Sequence, residues 1–479
     1  SSRRRHTRCL SDWSSDVCSS DLFAAGNAAA AEPKRANVLF LFADDMRADS
    51  VAALGNPVVK TPTLDALAQR GFVMRNAYCF GGNSAAVCTP SRNMLLSGNA
   101  YFRWKDFQPP QGAKGMLSPG DGPNWPLSMQ AAGYETYHEG KRGNTALLIQ
   151  AKFEHNLYIN ENQDRTGGEP GKQIADDVTK FLKERKTDRP FFMYLAFGNP
   201  HDPRVADKKY MDLYERDKIP LPRNFLPQHP FDNGEMTVRD EALLPWPRTE
   251  AAVRKELHEY YATITAMDFH MGRIIAALKE LGQLDNTIIL FSADQGIAIG
   301  SHGLLGKQNL YDAGMKCPLV FAGPGIPHSS SDALLYLLDI YPTVLDLVGA
   351  AKPSGIDGQS FRPVLTGTTK TVRNELFFAY RDVQRAWRDD RWKLIRYPQV
   401  NMTQLFDLQA DPDEMKNLAE DAAHQPRVEQ MLAKLKDQQA KYTDTLPLTV
   451  ANPKPAAWTP PSAEERAKQK AAKKAEKKK

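Results

Sequence analysis

Three apolar runs constrain this chain more than anything else in it: NVLFLFA at Asn37–Ala43, FFMYLAF at Phe191–Phe197 and TIILFS at Thr287–Ser292. Each is nearly continuous rather than alternating, the pattern of a strand buried on both faces of a parallel sheet. PLVFAG, at Pro318–Gly323, reads the same way. Helical periodicity fills the intervals at Thr63–Arg70, Gly171–Arg185, Thr249–Leu281 and Leu335–Val348. Alternating strands and helices predict an α/β fold: a large doubly wound sheet, mixed but mostly parallel, flanked by helices. The pattern changes after about residue 365. ELFFAYRDVQRAWRDDRWKLIRY and TQLFDL read as short strands with tight turns, followed by a helix near Gln425–Tyr442. That predicts a smaller C-terminal antiparallel sheet with a helix. The expected division is an α/β domain over 36–365 and an antiparallel-sheet subdomain over 366–450.

The first three runs end alike. Asp44-Asp45 follows one, Pro200-His201-Asp202 another, and Asp294-Gln295-Gly296 the third. Open α/β sheets bind ligands beyond the carboxyl ends of their strands, so these groups are expected to converge.

The formal charge of +5 is misleading. Between Ser462 and Lys479, eight basic residues face three glutamates and account for all of it. We read 451–479 as a basic, disordered tail. The rest is neutral overall, which excludes a nucleic-acid-binding body. No apolar run is long enough to span a membrane. Residues 1–22 lack any core pattern, and Asp12–Leu22 resembles a translated sequencing adapter, so they are excluded as an artefact. LFAAGNAAAAEPKR then reads as the remnant of a signal peptide over 23–35, which predicts export to the periplasm or the medium; a flexible Ala-rich leader is the other reading. Three cysteines remain, Cys79, Cys88 and Cys317, too few for a disulfide framework. Cys79 and Cys317 read as buried small hydrophobes.

Asp44, Asp45, Asp294 and Gln295 form an all-oxygen set suited to a hard divalent cation, Ca²⁺ or Mg²⁺. A lone Asp-Asp after a strand is commonly a turn; the second strand end makes the metal reading the stronger one. Arg92, Lys141, His201, His302 and Lys307 would surround such a metal with cations and cradle a tetrahedral anion, sulfate or phosphate. Each alone reads as an ordinary solvated or loop residue. His201, between two prolines in NPHDP, is placed to protonate a leaving oxygen. Cys88, in VCTPSRNMLLSG, admits three readings: a nucleophile, a buried small hydrophobe, or the precursor of another group.

CTPSR matches the Cys-x-Pro-Ser-Arg signature of type I sulfatases, and NMLLSG resembles its usual continuation. The Asp-Asp, the Gly-Lys at Lys141, the Pro-His-x-Pro and the Asp-x-Gly…His-Gly…Lys loop follow in family order. The resemblance spans roughly 36–420 and places the chain with the sulfatases of the alkaline phosphatase-like superfamily. It implies a sulfuric ester hydrolase in which Cys88 is oxidised by a maturase to formylglycine. One hydroxyl of the hydrated aldehyde would bind Ca²⁺, preferred over Mg²⁺, and attack sulfur; loss of the second hydroxyl's proton would expel sulfate. The helix N-terminus near Pro90 suits that negative charge. Asp44, Asp45, Asp294, Gln295 and the modified Cys88 are implied metal ligands. Lys141, His201 and Lys307 would contact sulfate, and Arg92 would hold the nucleophile and carboxylates.

Two positions depart from the family. Gln295 stands where relatives often carry Asn or His, and Gly143 and Asn144 stand where many carry a histidine that helps expel sulfate. Asn144 can bind substrate but cannot act as a base. His138 or His302 would have to substitute, and His302 is the expected choice. A phosphonate monoester or phosphodiester hydrolase of the same superfamily is the alternative activity, and a non-catalytic anion binder the third reading. The expected substrate is a sulfated glycan rather than a small ester, gripped by Arg204 near His201 and by Arg381, Arg385, Trp387 and Arg388. The competing reading of those residues is a set of interdomain salt bridges.

Overall fold

β1 (Asn37–Asp44) shows why the apolar runs are continuous. Successive side chains point to opposite faces: Val38, Phe40 and Phe42 enter one core, Leu39, Leu41 and Ala43 the other. All eight of its residues are buried. A computed structural model describes residues 35–110, 117–462 and 464–465 of the chain. The expected artefact (1–22), the leader up to residue 34, and the tail at 463 and beyond 465 lie outside these residues.

The remaining strands of the described residues are β2 (Phe72–Tyr78), β3 (Gly81–Gly82), β4 (Glu135–Gly140), β5 (His155–Tyr158), β6 (Phe191–Pro200), β7 (Thr287–Ala293) and β8 (Lys316–Cys317). Then follow β9 (Leu319–Ala322), β10 (Ser329–Tyr336), β11 (Leu376–Tyr380), β12 (Gln384–Arg388), β13 (Trp392–Tyr397) and β14 (Met402–Asp407). The large sheet runs β10-β2-β9-β7-β1-β6-β4-β5, with β8 paired to β2. β1 is parallel to β6 and β7, and β4 is parallel to β5 and β6. β9 is antiparallel to both its neighbours, so PLVFAG is a reversed strand in a mixed sheet. Helices Pro62–Arg70, Lys172–Glu184 and Glu250–Glu280 cover one face; helix Cys88–Ser97 lies in the other core.

One expected helix is only half a helix. In place of Leu335–Val348, β10 continues to Tyr336 and the α-helix spans Ile340–Leu347. Leu334–Tyr336 are held by pairing with Asn76–Tyr78. Asp339 then ends the strand by accepting from the Tyr336 N–H. An apolar run read by period alone cannot show that pairing.

The smaller sheet follows the expected antiparallel order, β14-β13-β12-β11, and helix Gln425–Lys441 packs on β12 and β13. It also contains a strand from far upstream: Gly81–Gly82 pairs in parallel with Ala379–Tyr380. Gly81 has φ 110°, and a Cβ there would sit 2.2 Å from the Ala379 carbonyl oxygen. Glycine is required for that approach. Residues 451–462, expected in the tail, lie against the body: Lys454 N–H donates to Gln399 O, and Trp458 packs edge-on to Trp246.

Candidate active site

β7, β1, β6 and β4 are consecutive in the sheet, so the groups that follow them converge at one edge. Asp44 closes β1. Asp45 turns out of the strand at φ 64°, a left-handed conformation Asp tolerates, and its N–H donates to Asp294 Oδ1 at 3.0 Å. Asp294 Oδ1 also accepts from the Gln295 N–H at 3.0 Å. Lys141 follows β4, and His201 follows β6.

Helix Cys88–Ser97 brings in the cysteine. Its ten residues are all buried, which fits a sequence without a polar face. Pro90 is tolerated in the first turn, and Gly98 caps the end at φ 69° with its N–H on Met94 O. Cys88 and Arg92, four apart, share a helix face. Arg92 Nε donates to Asp294 Oδ2 at 3.0 Å, and its guanidinium lies 3.5 Å from Asp44 Oδ2 and over the Phe42 ring.

The Cys88 Sγ sits 3.1 Å from Asp44 Oδ1 and 3.9 Å from Asp45 Oδ1. It accepts from Gln295 Nε2 at 3.0 Å and Lys307 Nζ at 3.2 Å. Burial, with the charges of Asp294 and Asp44, pushes the thiol well above its ordinary range despite Lys141 and Lys307. Crowding by carboxylates at 3.1 and 3.9 Å disfavours a thiolate at this position.

Cations close the ring. Lys141 Nζ contacts Asp44 Oδ2, and Lys307 Nζ contacts both Asp45 oxygens at 2.7 and 2.8 Å. His201 Nε2 is 3.7 Å from Asp45 Oδ2. Its Nδ1 lies 2.7 Å from the Asp202 carbonyl oxygen; because a carbonyl only accepts, Nδ1 carries the proton. Burial and the charge of Lys307 lower the pKa of His201. Burial would raise Asp44, but Lys141 and Arg92 hold its carboxyl well below the usual range. Asp294 goes the other way, to about 7, through burial and the Asp44 charge.

This donor set fits a hard divalent cation. One atom from each of Asp44, Asp45, Cys88 and Asp294 lies within 4.8 Å of the others. Gln295 Oε1 is buried without a hydrogen-bond partner, while its Nε2 faces Asp45 Oδ1 at 2.6 Å. Three buried carboxylates repel one another, as the raised Asp294 shows, and a divalent ion relieves that repulsion.

Other expected residues lie elsewhere. His302 stacks on Tyr311 at 3.8 Å, its Nε2 meets Asn224 Nδ2 at 3.0 Å, and burial lowers it to about 3. It cannot substitute as the expected base, because its ring is held in that stack. His138 is fully buried, bonded through Nδ1 to Asn156, and also lowered to about 3 by burial. Asn144 is exposed at φ 49°, and the Gly143 N–H donates to Glu161 at 2.7 Å. A Cβ at Gly143 would come no nearer than 3.4 Å to the Glu161 carboxylate, so the backbone does not forbid a side chain there.

Arg204, expected to grip substrate, does not face the site. Its side chain is 3% exposed, paired with Glu256 at 2.9 Å and stacked over Tyr260, so its ion pair lies inside the expected 36–365 domain and is not an interdomain one. In the small sheet, Arg381 and Arg388 pair across the expected boundary, and Arg385 and Trp387 pair within the subdomain. Arg381 pairs with Glu235, Arg385 with Asp444, Arg388 with Tyr78 and Asp312, and Trp387 Nε1 donates to Glu375.

Several site residues escape sequence reasoning. Ser91 Oγ donates to Asp294 O at 2.6 Å, and Arg47 holds the loop beyond β7 through Ala298 O and Ser301 Oγ. Asn199 is fully buried beside His201 with both amide atoms lacking a hydrogen-bond partner. Ser91 lies inside CTPSR, a signal that could have found it.

A sulfatase family model matches residues 36–350, and a model of the N-sulphoglucosamine sulphohydrolase C-terminal region matches 300–441. An N-acetylglucosamine-6-O-sulfatase of Bacteroides thetaiotaomicron is 25% identical, over 89% of this chain and 90% of its own. A structure described as bound to its substrate D-glucosamine-2-N,6-O-disulfate superposes with TM-score 0.71 at 22% identity, covering 87% of this chain and 99% of the other. A phosphonate monoester hydrolase of Agrobacterium radiobacter superposes with TM-score 0.71 at 22% identity, covering 85% and 96%. At such identities the two structures establish the shared fold. The family match covers both the cysteine motif and the strand ends that surround it, and with it the chain belongs to the sulfatase family and is a sulfuric ester hydrolase.

Proposed function

We propose that this enzyme releases sulfate from a sulfated carbohydrate, using formylglycine made from Cys88 by a maturase and a calcium ion held by Asp44, Asp45, Asp294 and Gln295. One observation carries the reading. The Cys88 side chain lies between two carboxylates and a lysine at a helix N-terminus. Those surroundings favour an oxygen group at position 88 that can ligate a cation over a thiolate. A hydrated aldehyde there supplies an oxygen nucleophile with a second hydroxyl through which sulfate can leave, and calcium would neutralise the three carboxylates and the sulfate oxygens. Lys141 and Lys307, buried beside residue 88, contribute the positive charge that a sulfate ester requires. His201 offers Nε2 to the leaving alcohol, its tautomer set by Asp202 O. Arg92 pins Asp294 and Asp44.

The sugar assignment rests on the relatives, whose names and substrate include an N-acetylglucosamine-6-O-sulfatase and a glucosamine disulfate complex. Export to the periplasm or medium is consistent with it, since glycans are met outside the cell; no helix of the described residues is long and apolar enough to cross a membrane. The division into a catalytic domain over 36–365 and a subdomain over 366–450 belongs to the same reading.

The test is protein co-expressed with a maturase, with residue 88 read by peptide mass. It is then assayed for sulfate release from sulfated glycans and an aryl sulfate, beside phosphonate monoesters. Unmodified cysteine throughout would sink the formylglycine step. Phosphonate turnover without sulfate release would establish the alternative activity.

A further inference from the structure

A second network runs beside the cluster without entering it. Arg239 donates through NH1 to Asp202 Oδ1 at 2.7 Å and to Asp240 Oδ1 at 3.0 Å, and through NH2 to Asp202 Oδ2. Asp240 Oδ2 accepts from Gln308 Nε2 at 2.8 Å. The same nitrogen donates to Ala85 O at 2.9 Å, and Gln308 Oε1 accepts from the Lys307 N–H at 3.1 Å. Asp202 follows His201 directly, Gln308 follows Lys307, and Ala85 lies three residues before Cys88. One line of hydrogen bonds therefore ties together the three loops that carry His201, Lys307 and Cys88.

Its members differ in burial. The side chains of Asp202 and Asp240 are 12% and 8% exposed, while that of Arg239 is 58% exposed. Two buried carboxylates on different loops thus share one guanidinium at the rim, with Gln308 a second donor to Asp240. Asp202 Oδ1 lies 3.4 Å from His201 Nδ1. Released from Arg239, that carboxylate is free to swing onto the imidazole and compete with the carbonyl that sets its tautomer. Arg239 is not suited to gripping an anionic substrate itself. Both its terminal nitrogens are committed, and with its two acids it forms a group of net negative charge.

We propose that Arg239 is a positioning residue for sulfate-ester cleavage, holding Asp202 and Asp240 so that His201, Lys307 and residue 88 keep their mutual geometry. The proposal rests on the sulfatase reading above. Catalytic groups misplaced by an ångström lose large factors in rate while binding changes little.

The experiment compares wild type, Arg239→Ala, Arg239→Lys, Gln308→Ala and the Arg239→Ala/Gln308→Ala double variant on an aryl sulfate. The formylglycine content of each is measured, and rates are taken per modified molecule. Arg239→Ala is expected to lower kcat by about 10–100-fold with KM within about threefold, while its melting temperature stays within about 3 °C of wild type. Arg239→Lys, keeping the charge without the fork, recovers part of the loss. The double variant loses no more than the worse single one, because both break one line. Unchanged kcat in Arg239→Ala, a loss confined to KM, or fully additive losses would each overturn the proposal. Wild-type protein with modified residue 88 that leaves the aryl sulfate intact overturns the sulfatase reading with it, so the two failures are distinct.

Discussion

Two of the charge clusters among the described residues are built differently. One is the site, where Asp44, Asp45 and Asp294 face Arg92, Lys141 and Lys307. The other joins the two sheets. There Lys393 Nζ lies 2.7 Å from both Asp312 and Glu414, Tyr78 OH donates to Asp312, and the Asp312 N–H donates to Glu414. In the joint, two acids are shared around one lysine with Arg388 behind. Burial would raise Asp312, yet Lys393 and Arg388 hold it far below the usual carboxylate range; Glu414 absorbs the cost, raised by burial to about 7. In the site three acids crowd together, a thiol is wedged among them, and Arg92 NH1, Arg92 NH2 and Gln295 Oε1 have no hydrogen-bond partner. The lesson is that burial and pairing alone do not mark function. The joint leaves Glu414 Oε1 without a hydrogen-bond partner but 2.7 Å from the Lys393 ammonium, whereas the site leaves several polar atoms open beside three crowded acids.

The contrast can be broken at four points. The largest effect is expected from Cys88→Ala, which should lower kcat by about 10⁴-fold or more with little loss of stability, measured by sulfate release and thermal melting. An active Cys88→Ala protein would move the chemistry away from this cluster. Next is Lys393→Met, which leaves buried Glu414 and partly buried Asp312 without their shared cation. It should cost about 3–5 kcal/mol in chemical denaturation, while the folded fraction keeps its kcat. Selective loss of activity with stability intact would reverse the roles of the two clusters.

Chelation should separate the clusters further. Removing divalent metal should abolish turnover, and adding calcium at about a hundredfold excess over its Kd should stabilise the protein by about 2.7 kcal/mol. Lys393→Met should show the same calcium increment, and Asp45→Asn little of it. No calcium response in wild type would contradict the metal reading.

The smallest effect concerns pH. Burial would raise Asp202, but hydrogen bonding to Arg239 and the charge of His201 lower it to about 2. A depressed carboxylate contributes stability that is complete above its unfolded value near 4 and is lost as pH falls toward 2. Because Arg239 is more than half exposed, we discount the contribution to about 1 kcal/mol. Asp202→Asn should flatten the stability profile between pH 4 and 2 by that amount; an unchanged slope would assign the acid sensitivity elsewhere.

Much of this molecule is legible in its sequence. NVLFLFA, FFMYLAF and TIILFS form β1, β6 and β7, because a strand buried on both faces has no polar position to spare. The residues closing those strands converge with Cys88 and Arg92, since strand ends in a parallel sheet share an edge and residues four apart share a helix face. What stays hidden depends on contacts between distant segments. Gly81–Gly82 joins the C-terminal sheet, LLY becomes strand by pairing with β2, and His302 turns to Tyr311 rather than to the site. Arg204, Arg381, Arg385 and Arg388 look in the sequence like a glycan grip, yet each finds a partner within the fold. Sequence alone determined which chemistry the strand ends carry, because periodicity and motif are local. Tertiary structure alone decided which charges are already paired and which remain for a substrate, because pairing depends on distances between loops that no local pattern encodes.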